Sequence, residues 1–370
     1  MYPLVFVIRV KESIFTALTN FQPPLKVKRR AQGNGKNAGY EILSGINLHP
    51  GAQDPLPPYR DIKMNIIKVI IIACGLLSVF AVQAKTYMVG VALANLDLNF
   101  VSILRSQMET QLKEKGLNSQ FADAKGDVSL QIQQVDDFIN QGADAIIVNP
   151  VDTQGVMPVI AAAKKANIPL IFVNRKPEVT LSGKMAYVGS DSALSGKMEI
   201  EALAKRMNNQ GNIAILMGSL STEEARQRTK AVEDYVSAHP GLKVIQKQTA
   251  NWQRNEAVDK TLSWLQDGNT INAIVANNDE MAIGAIMALD QLKKSDVLVA
   301  GIDGTPDGLQ FIKNGKMAVT IFQDAKGQAI GAVNVASDML NGKKTEAYNW
   351  VPYQTVTKEN YQAFTDKNQK

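Results

Sequence analysis

One cysteine and two histidines are all that the 370-residue chain offers as thiolate ligands or imidazole bases. The cysteine, Cys74, falls inside an apolar run that reads as a removable leader, so the mature chain is expected to hold neither a disulfide nor a thiolate-bound metal. His239 is the only histidine after residue 85, and it stands with Pro240 and Gly241 at the end of a helical pattern. A cation there meets the negative end of the helix dipole, which leaves no base for a Ser/His/Asp triad. Carboxylates do not cluster either. Asp136 with Asp137 and Glu223 with Glu224 are sequence neighbours that point to different faces of a helix, and they read as solvated surface. The run Gly301-Ile-Asp-Gly-Thr-Pro-Asp-Gly308 lacks both dinucleotide spacing and the Lys-Ser/Thr ending of a P-loop. These absences point away from an enzyme, a metal site and any cofactor.

A basic surface is missing as well. The formal net charge of +5 comes from residues 1–84, with 10 Lys or Arg against 4 Asp or Glu, which leaves 30 against 31 in residues 85–370. A nucleic-acid binder needs a cationic face to displace counterions from phosphates, so nucleic acid is not an expected partner.

What is present begins with Met64 to Ala84, MNIIKVIIIACGLLSVFAVQA: a Lys68 flank, an apolar run from Val69 to Val82, and small residues before Lys85. That is the pattern of a signal peptide. The apolar run spans 14 residues, whereas a membrane span needs roughly 20, so cleavage after Ala84 and no stable membrane insertion are expected. Lipidation at Cys74 fits less well, because the apolar run continues through Gly75 to Val82. Residues 1–63 precede this complete leader, contain Pro55, Pro57 and Pro58, and read as a start assigned too early. The rival is a cytoplasmic segment before a signal anchor, with Lys26, Lys28, Arg29 and Arg30 as its basic flank.

From Lys85 onward, short β-branched runs alternate with amphipathic segments of helical length, the pattern of parallel βαβ units. Strands are expected at Met88–Ala92, Asn118–Ala122, Ala145–Val148, Leu170–Val173, Ile213–Met217, Val244–Gln248, Ala273–Ala276, Val297–Gly301 and Ala318–Phe322. Helices are expected at Phe100–Lys115, Leu130–Gln141, Ala193–Met207, Ala225–Ala238 and Met281–Leu292. Ser221 with Glu224 fits a capping box, and Thr305 before Pro306 fits an N-cap. Nine such strands exceed one simple sheet, and Ala186 to Ser192, rich in small and turn residues, is the expected crossing point. The fold class is therefore α/β, with two doubly wound parallel-sheet lobes.

Open α/β sheets bind ligands beyond the carboxyl ends of their strands. The residues found there are Asn95, Asp97, Asn149, Asn174, Arg175, Trp252, Arg254, Asn277, Asn278, Asp279, Asp303, Gln323 and Asp324. Planar amides, carboxylates and guanidinium groups can each address two neighbouring hydroxyls of a ring, which makes a polyol the natural ligand. Asn and Asp also follow strands for a plainer reason, because they cap turns and the next helix. Caps do not call for Arg175, Gln323 or Trp252, and Trp252 and Phe100 could offer faces to the C–H patches of a sugar.

Ile147-Val-Asn-Pro-Val-Asp152, Ala276-Asn-Asn-Asp-Glu-Met-Ala282 and the Gly301–Gly308 run stand in the order and spacing of a known family. Residues 85 to about 355 resemble the periplasmic sugar-binding proteins of ABC importers, of the ribose, allose and galactose type. The resemblance implies a first lobe of 85–188 plus 324–353 and a second of 189–323 plus 354–370, with the sugar between them. It implies polar ligand contacts at Asn149, Arg175, Arg228, Asn278, Asp303 and Gln323, and stacking at Phe100 and Trp252. Arg228 is nominated by the resemblance alone. Asn174-Arg175-Lys176 stands where ribose binders tend to show Asp-Arg, and Asp97 and Asn99 stand where Asn and an aromatic are common. Asn174-Arg-Lys-Pro177 is similar to the inositol-binding branch, so a pyranose or cyclitol is expected rather than ribose. The implied partners are the importer's membrane subunits, and the implied state is a periplasmic monomer. LacI-type transcription regulators share the two-lobe domain but need a basic helix-turn-helix ahead of it. A chemoreceptor ligand carrier remains compatible with the sequence.

Overall fold

The computed structural model describes residues 85–369; the leader and the segment before it lie outside them. Strands β1 (Met88–Leu93), β2 (Asn118–Asp123), β3 (Ala145–Val148), β4 (Leu170–Val173) and β5 (Met185–Gly189) alternate with helices α1 (Asn99–Glu114), α2 (Val128–Asn140) and α3 (Met157–Ala166). After α4 (Ser192–Arg206) come β6 (Gly211–Met217), α5 (Glu223–Ala238), β7 (Leu242–Thr249), α6 (Arg254–Gln266) and β8 (Ala273–Ala276). The chain continues through α7 (Asp279–Gln291), β9 (Leu298–Asp303), α8 (Pro306–Lys313), β10 (Val319–Phe322) and α9 (Ala325–Leu340). It ends with β11 (Tyr348–Trp350), β12 (Gln354–Val356) and a short 3-10 turn, Tyr361–Phe364.

Two six-stranded sheets result, in the orders β11-β5-β4-β3-β1-β2 and β12-β10-β9-β8-β6-β7. All neighbours are parallel except β12, which runs antiparallel to β10. Central strands Ala-Ile-Ile-Val of β3 and Leu-Ile-Phe-Val of β4 are wholly buried, because helices cover both faces of a parallel sheet. The edge strands β2 and β7 keep polar, partly exposed residues that discourage further pairing. The chain passes between the sheets after β5, after β10 and after β11. Helix α9 places Ala329, Ala332, Val333 and Ala336 in the core of the first sheet although it follows a strand of the second.

The chain leaves the first sheet at Ser190, inside Ala186–Ser192 and directly after the buried strand β5, which the sequence pattern did not indicate. Ser221 does not cap α5; the N-cap is Thr222 without a side-chain bond, and Ser221 Oγ instead donates to the Val151 carbonyl in the other lobe. The terminal strands β11 and β12, three residues each, are additions that the sequence pattern did not indicate. Thr305 does cap α8, accepting from the Gly308 N–H at 3.1 Å.

The glycines of the 301–308 run have a packing reason. Buried Asp279 accepts from the Thr305 N–H at 2.8 Å and from the Thr305 and Thr320 hydroxyls at 3.1 and 2.6 Å. A Cβ on Gly301 would stand 2.7 Å from one Asp279 carboxyl oxygen, and a Cβ on Gly308 would stand 2.1 Å from the other. Both positions must be glycine for the carboxylate to lock the β9–α8 turn.

Candidate functional site

Carboxyl ends of both sheets face one another across a cleft. The first lobe contributes Leu98, Asn99, Phe100 and Val101 at the start of α1, with Asn174 and Arg175 after β4. The second contributes Glu224 and Arg228 from α5, Trp252 after β7, Asn278 after β8, Asp303 at the end of β9 and Gln323 after β10.

Three of these residues hold unusual backbone: φ is 66° at Asn174, 69° at Trp252 and 131° at Asp303. Such conformations cost about 1–3 kcal/mol each in a residue with a side chain and persist only where the surroundings enforce them. Trp252 is enforced by close packing, since a Cβ on Gly218 would lie 2.2 Å from its ring. Asn174 is held by the Asn149 amide, which donates to its side-chain oxygen at 3.1 Å, and by the Tyr187 hydroxyl on its carbonyl at 2.8 Å.

One pair of opposite charges meets in the cleft. Arg175 Nε lies 3.4 Å from Glu224 Oε2, and both side chains are 7% exposed. Arg228 donates to the Asn277 carbonyl at 2.6 Å, to Gln323 Oε1 at 2.7 Å and to the Tyr353 hydroxyl at 3.0 Å. Burial would lower its pKa, but Tyr353, Glu224 and Asp303 outweigh that and raise it. Burial pushes the Asp303 carboxyl well above its ordinary range, against the pull of Arg228, and pushes Glu224 up against Arg175 and Arg228.

The lobes also meet along the rims. On one side Lys176 pairs with Glu223 at 3.0 Å, Arg226 with Glu178, and the Thr153 hydroxyl accepts from the Glu223 N–H at 2.9 Å. On the other, Asn99 Nδ2 donates to Glu280 Oε1 at 3.2 Å. The reading of Glu223 and Glu224 as solvated surface is therefore overturned: each is 5% exposed, because the first turn of α5 abuts the opposite lobe.

Phe100, Asn174, Arg175, Arg228, Trp252, Asn278, Asp303 and Gln323 are brought together in the cleft, while Asp97 and Asn149 are not. Asp97 is exposed on a neighbouring groove, with Asn95 accepting from its N–H. Asn149 is wholly buried behind the cleft, with its amide spent on Asn174 and the Val173 carbonyl. Asn278 lines the cleft yet also caps α7, accepting from the Met281 N–H at 3.0 Å. Asp324 likewise caps α9, so the plain explanation holds there. Asp303 has no such duty, since Thr305 caps the next helix.

Behind the cleft, Glu199 on α4 is fully buried and neither carboxyl oxygen has a hydrogen-bond partner among the described residues. Burial raises its pKa well above the usual value; Arg228 opposes the shift, and Asp279 and Asp303 add to it. A raised folded-state pKa gives stability that is full below the unfolded value of about 4.3 and is lost as pH rises through the folded value. Glu199→Gln, which keeps the shape without the titration, is expected to match the parent at or below about pH 4, to exceed it increasingly as pH rises from there, and to level off once the folded value is passed. Urea midpoints across that range check this, and a variant less stable at every pH would contradict it.

A sequence profile of the periplasmic binding protein domain matches residues 89–344. The chain belongs to that family. Its fold and its cleft are those of a solute-binding protein, and it is not an enzyme. A protein of Rhizobium meliloti named for rhizopine binding is 39% identical over 81% of this chain and 99% of its own length. A xylitol-binding protein of Mycolicibacterium smegmatis is 35% identical over 76% of this chain and 80% of its own. An ABC transporter solute-binding protein of Bacillus halodurans, solved with bound myo-inositol, is 40% identical with a TM-score of 0.72, covering 76% of this chain and 98% of that one. Among the described residues no helix is long and apolar enough to cross a membrane.

Proposed function

We propose that this binding protein captures a neutral cyclitol or related monosaccharide by hinge closure and delivers it to an ABC importer as a periplasmic monomer. The observation that carries the reading is the lining of the cleft, which brings two guanidinium groups, Arg175 and Arg228, and two carboxyls, Glu224 and Asp303, together with Phe100 and Trp252. A neutral polyol supplies donors and acceptors and adds no charge to that set, whereas a charged ligand would bring an unpaired charge into a buried site. Asn174, Arg175, Asn278, Asp303 and Gln323 then address hydroxyls, and the two aromatic faces cover C–H patches. The 40% identity to a protein holding myo-inositol supports a cyclitol, and the resemblance to xylitol- and ribose-binding relatives supports the wider polyol class. The same reading assigns residues 85–188 with 324–353 to one lobe and 189–323 with 354–370 to the other.

A thermal-shift panel of myo-inositol, xylitol, D-allose, D-ribose, L-glutamate, L-arginine and adenine tests it. A neutral polyol at 100 times its Kd is expected to add about 2.7 kcal/mol of stability. A response confined to the amino acids or the nucleobase would overturn the ligand class. Export adds a separate expectation: the mature protein begins at Lys85 after removal of residues 64–84, and mass spectrometry finding an intact residue 1 would contradict it.

A further inference from the structure

The stretch beyond β12 lines no part of the cleft, yet one of its side chains grips the backbone beneath two cleft residues. Asn368 is 1% exposed. Its amide nitrogen donates to the carbonyls of Gln323 at 2.8 Å and Asp303 at 3.0 Å, with Gly304 farther off at 3.4 Å. Its oxygen accepts from the Ala325 N–H at 3.1 Å. Both donor hydrogens and the acceptor of one amide are thus engaged.

Each of those partners matters to the cleft. Asp303, at φ 131°, needs outside support, and its carbonyl has two donors, the Gln323 N–H at 3.0 Å and Asn368. Ala325 is the first residue of α9, whose N–H has no partner within the helix. Because α9 packs in the first lobe while Asp303 and Gln323 face the cleft from the second, Asn368 brackets one chain crossing between the lobes. The residues flanking Asn368 make contacts of their own. Phe364 packs on Phe322 with ring centres 5.0 Å apart, and the Gln369 carbonyl accepts from Gln107 Nε2 on α1 at 2.7 Å.

We propose that Asn368 is a positioning residue for ligand capture. By clamping the carbonyls of Asp303 and Gln323 to the start of α9, it aims both side chains into the cleft and sets the geometry of that crossing. Affinity therefore depends on a side chain that never touches the ligand. This rests on the polyol reading above.

Calorimetric titration of the full mature chain with myo-inositol, xylitol and D-ribose tests it, using whichever binds the parent most tightly. Asn368→Ala is expected to weaken binding about tenfold or more, well below its melting temperature. Asn368→Ser, which keeps one donor, is expected to fall between it and the parent, and is read in its place should the alanine variant not fold. Phe364→Leu loosens the same segment without touching these hydrogen bonds, and is expected to lower the melting temperature while holding affinity within about twofold. Asn368 variants that bind like the parent would overturn the proposal, as would a Phe364→Leu loss of affinity as large as theirs. A parent that binds none of the three ligands would instead overturn the polyol reading, and the proposal with it.

Discussion

Asp303→Ala is expected to weaken polyol binding about 10- to 150-fold, the cost of losing a hydrogen bond to a charged acceptor worth roughly 1.5–3 kcal/mol. Asp303 is 4% exposed and lines the cleft, and Thr305 rather than Asp303 caps the helix that follows. Its removal therefore takes an acceptor from the ligand without taking a cap from the fold. Alanine keeps the Cβ, so the backbone at φ 131° stays in the same sparsely populated region. The stability of the unliganded protein is expected to change little. Calorimetric titration beside a melting curve separates the outcomes: lost affinity with unchanged melting supports the role, and unchanged affinity with lowered melting refutes it.

Arg228→Met is expected to cost more, about 3 kcal/mol of stability or above, because it removes three buried hydrogen bonds from a charged donor and leaves their acceptors unsatisfied. Arg228 is 2% exposed and ties α5 to the Asn277 carbonyl, to Gln323 and to Tyr353, with its guanidinium 5.9 Å from the Trp252 ring centre. Without it, the Asp303 and Glu224 carboxyls lose a cation that now restrains their upward pKa shifts. Ligand binding should fall with stability, because the same fork orients Gln323. Lysine should not restore either property, since a point charge cannot reproduce a planar fork. Urea unfolding of the unliganded variants measures this, and a loss below about 1 kcal/mol would mean the network contributes little.

The sequence made the central strands legible because parallel strands covered on both faces become continuous apolar runs, as in β3, β4 and β8. It made Asp303, Arg175, Gln323 and Trp252 legible because they leave strands at the carboxyl edge. Strand β5 escaped because Met-Ala-Tyr-Val-Gly sits beside small residues and a crossing. Strands β11 and β12 are too short for any periodicity to register.

Glu224 was hidden by a rule that holds for helix surfaces and fails at a helix end. Adjacent carboxylates point to different faces, but the first turn of α5 has the other lobe in front of it, so Glu223 meets Lys176 and Glu224 meets Arg175. The pairing of Glu223-Glu224 with Arg175-Lys176, two acids against two bases, was the available signal. Asn149 misled for a related reason. It does leave a strand, but β3 is flanked by β1 and β4, and the Asn174 that follows β4 stands between it and the cleft.

Calorimetric titration of the mature protein with myo-inositol and its neutral relatives tests the central claim, that the two lobes close on an uncharged polyol. The account predicts saturable binding of one such molecule per chain, weakened by Asp303→Ala. Saturable binding of a charged amino acid, with no heat from any neutral polyol, would contradict it.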